Sequence, residues 1–200
     1  MKSFRIILLL LTLVSCRNDK STNKIIKTHN PTAEIPQMFT VLEAEDLFYE
    51  AASVNKNGDY LSARKLLINS LEYEINPITY NEIGISYLGE KDFEKAIGYF
   101  EKAIQLDSTY YPSHLNLARS YLATNEFENG KKVLFNVISN CESEYWKAYG
   151  NMYLALFYFN VEKNCEKALD ALVKSRRLKN DPDLSKQYEL FESEIHKSCK

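Results

Sequence analysis

Glycine and proline are scarce in this chain: six and five among 200 residues. That scarcity excludes a turn-rich all-β fold, which needs a breaker every few residues, and excludes collagen-like or low-complexity architectures. Charge of one sign is also missing. With 25 basic and 27 acidic side chains and no block of like charge, the chain lacks the basic footprint of a nucleic-acid binder. No nucleic-acid partner is expected. Histidine is rarer still. His29, His114 and His196 have no metal-ligand spacing among themselves or with the cysteines, no glycine-rich phosphate loop or nucleophile elbow is present, and the acidic residues fall where solvated helix surfaces, turns and caps are expected. The sequence therefore predicts no enzyme, no metal and no cofactor, with His114 a packing residue rather than a catalytic base. What the chain has in quantity is Leu, Ile, Lys, Glu, Ala and Tyr, a composition that favours long helices. The expected class is all-α.

No apolar run is long enough to cross ~30 Å of hydrocarbon, which takes about 20 residues. The longest is Ile6 to Val14, interrupted by Thr12 and preceded by Lys2 and Arg5. This is the build of a secretory signal. The run closes on Leu13-Val14-Ser15-Cys16, which resembles a bacterial lipobox. The resemblance implies cleavage after Ser15, a signal peptide over 1–15, and diacylglycerol on Cys16 as the acylated first residue, an anchor strengthened by ~0.8 kcal/mol per buried methylene. An ordinary cleaved signal with a chance cysteine is the competing reading. Residues 16–40 then form the lipidated cysteine and a flexible tether, because Arg17 to Pro36 is polar and almost without apolar periodicity. The expected location is the bacterial cell envelope. Arg17 stands where an Asp would suggest inner-membrane retention, so the outer membrane, facing the periplasm, is favoured.

Residues 41–200 carry an internal repeat. When Ala63, Ala96, Gly130 and Ala168 are aligned, Tyr60, Phe93, Phe127 and Cys165 stand three residues before them and Leu67, Phe100, Leu134 and Leu172 four after. The separations are 33, 34 and 38 residues. Ahead of these, Ala51, Gly84, Ala118 and Leu156 align, each followed three residues later by Val54, Tyr87, Tyr121 or Phe159. The most regular copy runs from Tyr80-Asn81-Glu82-Ile83-Gly84 through Tyr87 to Asp92-Phe93 and Ala96, Phe100 and Ala103, with Ser108 where a closing proline is usual. This pattern resembles the tetratricopeptide repeat, a helical hairpin that cannot bury its apolar face alone and so stacks into a solenoid.

Four repeats are expected, over 42–76, 77–110, 111–144 and 149–180, with hairpin turns at Asn57-Gly58, Glu90-Lys91, Asn125-Glu126 and Lys163-Asn164. The first is the most degenerate, with Glu50 at a place usually apolar. The fourth has about four extra residues, placed either near Cys141 to Glu144 or, if Trp146, Tyr149, Gly150 and Tyr153 take the consensus places, at the other end of its first helix. Beyond it, Asp181 is expected to cap and Pro182 to begin a capping helix whose Leu184, Tyr188, Phe191 and Ile195 share one face.

Three disulfide pairings are open to Cys141, Cys165 and Cys199 in an exported protein. Cys165 lies at the turn of the fourth hairpin, and an antiparallel closing helix brings Cys199 to the same pole, whereas Cys141 lies at the opposite pole. A Cys165–Cys199 bridge is expected, against the alternative of three free thiols with Cys165 a small core residue.

The resemblance also implies that the first helix of each hairpin lines a concave groove: Phe48, Ala52 and Asn55; Asn81, Ile85 and Leu88; Leu115, Arg119 and Leu122; Tyr153, Phe157 and Asn160. Chaperone-binding members of the family clamp a peptide carboxylate with Lys and Asn. Asn81 and Arg119 are present here but the lysines are not, so the groove suits an amphipathic helix or apolar segment better than a free carboxylate. The implied function is a lipid-anchored scaffold or adaptor holding a protein or peptide; similar lipoproteins serve barrel assembly, the piloting of secretins and pilus parts, and cell-wall synthesis. The competing functions are a binder of a small apolar ligand or cell-wall fragment, and a regulator of a membrane enzyme. In a domain this short, the same side chains can instead be buried by the stack itself.

Overall fold

The computed structural model describes residues 38–182 and 184–199. Its organisation follows from one turn made four times. Gly58, Lys91, Asn125 and Lys163 have φ of 86°, 65°, 64° and 53°, the left-handed backbone that stops a helix and reverses the chain. In three of the four turns the next residue caps the helix that follows: Asp59, Asp92 and Asn164 accept from the amides of Ser62, Lys95 and Lys167. Glu126 holds the equivalent place in the third turn without that bond.

The hairpins are α1 (Leu42–Lys56) with α2 (Tyr60–Tyr73), α3 (Pro77–Gly89) with α4 (Phe93–Leu106), α5 (Tyr111–Ala123) with α6 (Phe127–Asn140), and α7 (Glu144–Phe157) with α8 (Cys165–Lys174). A 3-10 turn, Arg176–Asn180, leads to the closing helix α9 (Ser185–Ser198). Each helix packs on its hairpin partner, and each second helix on the first helix of the next hairpin. The chain is an all-α helical-repeat solenoid of the tetratricopeptide type, closed by a capping helix.

The aligned positions form its core. Ala63, Ala96 and Ala168 are buried along with Leu67, Phe100, Leu134 and Leu172. Small residues are required where helices cross closely: a Cβ added at Gly84 would lie 2.5 Å from the Phe100 ring. Glu50, the misfit of the first repeat, is exposed. Arg64 of α2 ties the first two hairpins together, donating to Ser86 Oγ at 2.9 Å, pairing with Glu90 at 2.9 Å, and lying 4.3 Å over the Tyr87 ring.

Two details differ from the sequence pattern. First helices begin at Pro77, Tyr111 and Glu144, so the fourth starts on schedule. Its extra length sits at the far end, as the π-helical turn Tyr158–Glu162, in agreement with the second of the two alignments rather than with a repeat starting at 149. Pro182 does not begin α9. Asp181 instead caps a preceding turn, its side chain accepting from the Leu184 amide at 3.0 Å and from the Tyr145 hydroxyl at 3.1 Å, and regular helix starts at Ser185.

The disulfide joins Cys165 to Cys199, with a Cα separation of 5.4 Å. Cys141 is a buried free thiol. The bridge pins the end of α9 to the start of α8, and Tyr188 of α9 donates to the Leu172 carbonyl at 2.9 Å from within the core. The other end of the stack is fastened differently. No side chain of α1 caps its N-terminus. Glu74, from the loop after α2, reaches back to accept from the amides of Thr40 at 2.7 Å and Val41 at 2.8 Å, and Asn76 donates to the Met38 carbonyl.

Candidate functional site

Curvature decides which helices face inward. Successive first helices touch one another, α1 with α3, α3 with α5 and α5 with α7, whereas α2 with α4 and α4 with α6 make marginal contact at most. The first helices therefore line the inside of the curve and the second helices the outside. The outside carries scattered exposed apolar side chains, among them Leu61, Ile68, Leu106 and Phe135.

The inner side chains are drier than an open trough would make them. Phe48, Ala52 and Asn55 of α1, Asn81, Ile85 and Leu88 of α3, Leu115 and Arg119 of α5, and Tyr153 and Phe157 of α7 are all buried. Leu122 and Asn160 are half-buried. Not all of them belong to one surface. Phe157 turns toward the preceding hairpin, its ring 5.8 Å from Phe127 and beneath the Lys131 ammonium. Arg119 and Tyr153 do come together across the α5–α7 joint, where burial raises the pKa of the Tyr153 phenol and the guanidinium offsets part of that rise.

Between the first helices runs a buried polar seam. Asn55 Nδ2 donates to Glu82 Oε1 at 2.8 Å across the α1–α3 joint. Ser113 Oγ and Asn116 Nδ2 both donate to Asn81 Oδ1, at 3.1 and 3.0 Å, across α3–α5. Buried polar groups that pair across a joint fix the register of the elements they join. Glu82, Ser113 and Asn116 were not among the residues that the repeat pattern nominated. One signal was available: Glu82 and Asn116 each stand two residues before the small residue of their repeat, Gly84 and Ala118. A polar residue there, flanked by core positions, is placed to face a neighbouring helix.

Further along, Tyr145, Trp146, Tyr149 and Tyr153 form a ladder on α7 with ring centroids 4.8 to 6.2 Å apart. Burial drives the Tyr149 phenol well above its ordinary pKa, with the neighbouring Tyr153 and Tyr145 adding to the rise. It is a neutral packing group. His114 is buried as well, its Nε2 2.9 Å from the Ser108 carbonyl. Burial lowers its pKa against the smaller opposing pulls of that carbonyl and of Asp107. His196 is exposed at the end of α9, and Cys16 and His29 lie outside the described residues. Among the described residues no group of three or more His, Cys, Asp or Glu side chains could hold a metal ion, and no helix is long and apolar enough to cross a membrane.

The tetratricopeptide repeat family matches residues 77–110, which are α3, the turn at Lys91 and α4. No curated protein matches the chain. The matched repeat is the one whose Gly84, Phe93, Ala96 and Phe100 are the most regular, and repeats of this kind are in general scaffolds for protein contacts rather than catalysts.

Proposed function

We propose that this chain is a lipid-anchored interaction scaffold of a bacterial envelope, held to the outer membrane through Cys16 and presenting the inner face of its stack to a segment of a partner protein. The observation that carries this reading is the inward layer of first helices, which holds the aromatic ladder of α7, the apolar side chains Ile85 and Leu88 of α3, and the polar pairs that join α1, α3 and α5. Such a face combines apolar anchors with fixed hydrogen-bonding groups, which is the chemistry that selects one peptide segment among many. The anchor rests on the sequence Leu13-Val14-Ser15-Cys16, and the basic, apolar leader before it supports export.

Photo-crosslinking in native envelopes, followed by mass spectrometry, tests the reading. A specific protein recovered with the wild-type chain and lost with Leu122→Glu, at the half-buried inner edge of α5, supports it, provided that Ile68→Glu on the outer face retains the partner and both variants melt as the wild type does. Absence of any protein partner, together with saturable binding of a small apolar ligand or cell-wall fragment, overturns it in favour of a ligand binder. Cys16→Ser is expected to release the chain from the membrane fraction.

A further inference from the structure

Where the first helices close on one another, the outer ones leave a gap. α2 and α4 make marginal contact at most, so α3 floors the space between them. Spacing along each helix decides what enters that space. On α2, Leu61, Arg64 and Ile68 share a face, and on α4, Lys95, Tyr99, Lys102 and Leu106 do the same. The three helices meet at the Tyr87 ring of α3. It stacks on Tyr99 with centroids 5.4 Å apart, lies 4.3 Å from the Arg64 guanidinium, and has the Lys95 ammonium 5.3 Å away. Tyr80, also on α3, lies 6.4 Å from Tyr99, and the Lys102 ammonium stands 4.7 Å over the Tyr99 ring. Burial raises the Tyr99 pKa, and the nearby Tyr87 and Tyr80 phenols add to the rise against the pull of Arg64.

Two of the three cations are already paired, Arg64 with Glu90 at 2.9 Å and Lys95 with Asp92 at 2.6 Å. Lys102 is exposed and pairs with no acid among the described residues. The hydroxyls of Tyr80, Tyr87 and Tyr99, all half-buried side chains, make no hydrogen bond to the described residues either. One ammonium and three hydroxyls therefore gather at one gap with no acceptor. The rim of that gap is apolar, because Leu61 and Ile68 on α2 and Leu106 on α4 are exposed. Donors for an anion between apolar edges match a group that is both anionic and apolar. A free anion would leave the rim uncovered, and a purely apolar ligand would leave the donors unmet.

We propose that the outer gap between α2 and α4 binds the phosphodiester of a phospholipid, whose oxygens accept from Lys102 Nζ and the phenol hydroxyls while its glycerol and first acyl methylenes lie on Leu61, Ile68 and Leu106. The site needs nothing from Cys16 and stands apart from the partner-binding reading. Where the anchor also holds, the bound headgroup sets the outer face against the bilayer and turns the inner face toward the partner.

Titration of the isotope-labelled full chain with dihexanoylphosphatidylglycerol, kept below its micelle-forming concentration, tests the site by the amide shifts of α2 to α4. Saturable binding is expected, weakened about tenfold in Lys102→Glu by loss of one charge-assisted hydrogen bond. Tyr87→Phe, which removes a hydroxyl and keeps the ring, is expected to weaken it severalfold, and Lys132→Glu on the outer face of α6 to leave it unchanged. Melting curves like that of the wild type establish that the variants are folded. Inorganic phosphate binding as tightly as the phospholipid would show a bare anion site, and dihexanoylglycerol binding as tightly would show an apolar patch; either result overturns the proposal. So does an affinity that Lys102→Glu leaves unchanged, or no binding at all.

Discussion

Single side chains set tolerances that the repeat pattern conceals. At Gly84, alanine gains about 1 kcal/mol of helix propensity, but its Cβ would meet three atoms of the buried Phe100 ring within 2.9 Å. Overpacking of that kind costs about 1–3 kcal/mol. Gly84→Ala should therefore lower the melting temperature by several degrees, and Phe100→Leu in the same chain should recover part of the loss by opening space; calorimetry on the two variants checks both. Protons act at residue scale too. Burial alone would raise the Glu74 pKa, but the hydrogen bonds from Val41, Thr40 and Asn76 outweigh it and hold the carboxyl below its ordinary value. Its contribution is present above the unfolded pKa and is lost as pH falls through the folded one. His114, with its pKa lowered by burial, has the same sign at higher pH: the unfolded chain takes up the proton first. Acidification should therefore destabilise the domain in two windows, the first opening below about pH 6.5 and the second below about 4.3. Melting curves across pH should show the first window abolished by His114→Gln and the second reduced by Glu74→Gln.

At the scale of elements, the bridge between α8 and α9 has the largest expected effect. Closing a loop with a sequence separation of 34 residues stabilises by about 3 to 4 kcal/mol in the chain-entropy view. Reduction, or Cys165→Ala with Cys199→Ala, should lower the melting temperature and deprotect the α9 amides to hydrogen exchange well before those of α3 to α6. The pairing was legible in the sequence because a hairpin repeat fixes which turns share a pole. The helices and turns were legible for the same reason: Ala96 and Phe100 recur in register, and Gly58, Lys91, Asn125 and Lys163 fall where they must. Other features were not legible. Glu74 caps α1 from a distance of more than thirty positions, a contact no local pattern contains. The π-helical turn after Phe157 is a choice between two alignments that use apolar residues equally well. Asp181 looked like a helix cap and caps the turn before the helix, because Tyr145 holds its carboxylate there.

Over the whole molecule, the candidate site was legible as a face but not as an environment. The resemblance to tetratricopeptide stacks implied that Asn81, Ile85 and Arg119 face the inside of the curve, because they lie on first helices. It could not say that these residues would be dry, because burial depends on what lies above them, and it passed over Glu82 and Asn116, whose roles exist only once two first helices meet. The two ends of the stack are also secured unequally: three acceptor contacts and a buried Phe39 at one, a covalent clasp at the other. If the anchored end is the amino terminus, any tug from a loaded partner against the bilayer enters through the weaker fastening. Such a chain would unzip hairpin by hairpin from the membrane side outward, giving way by degrees while its far end stayed shut.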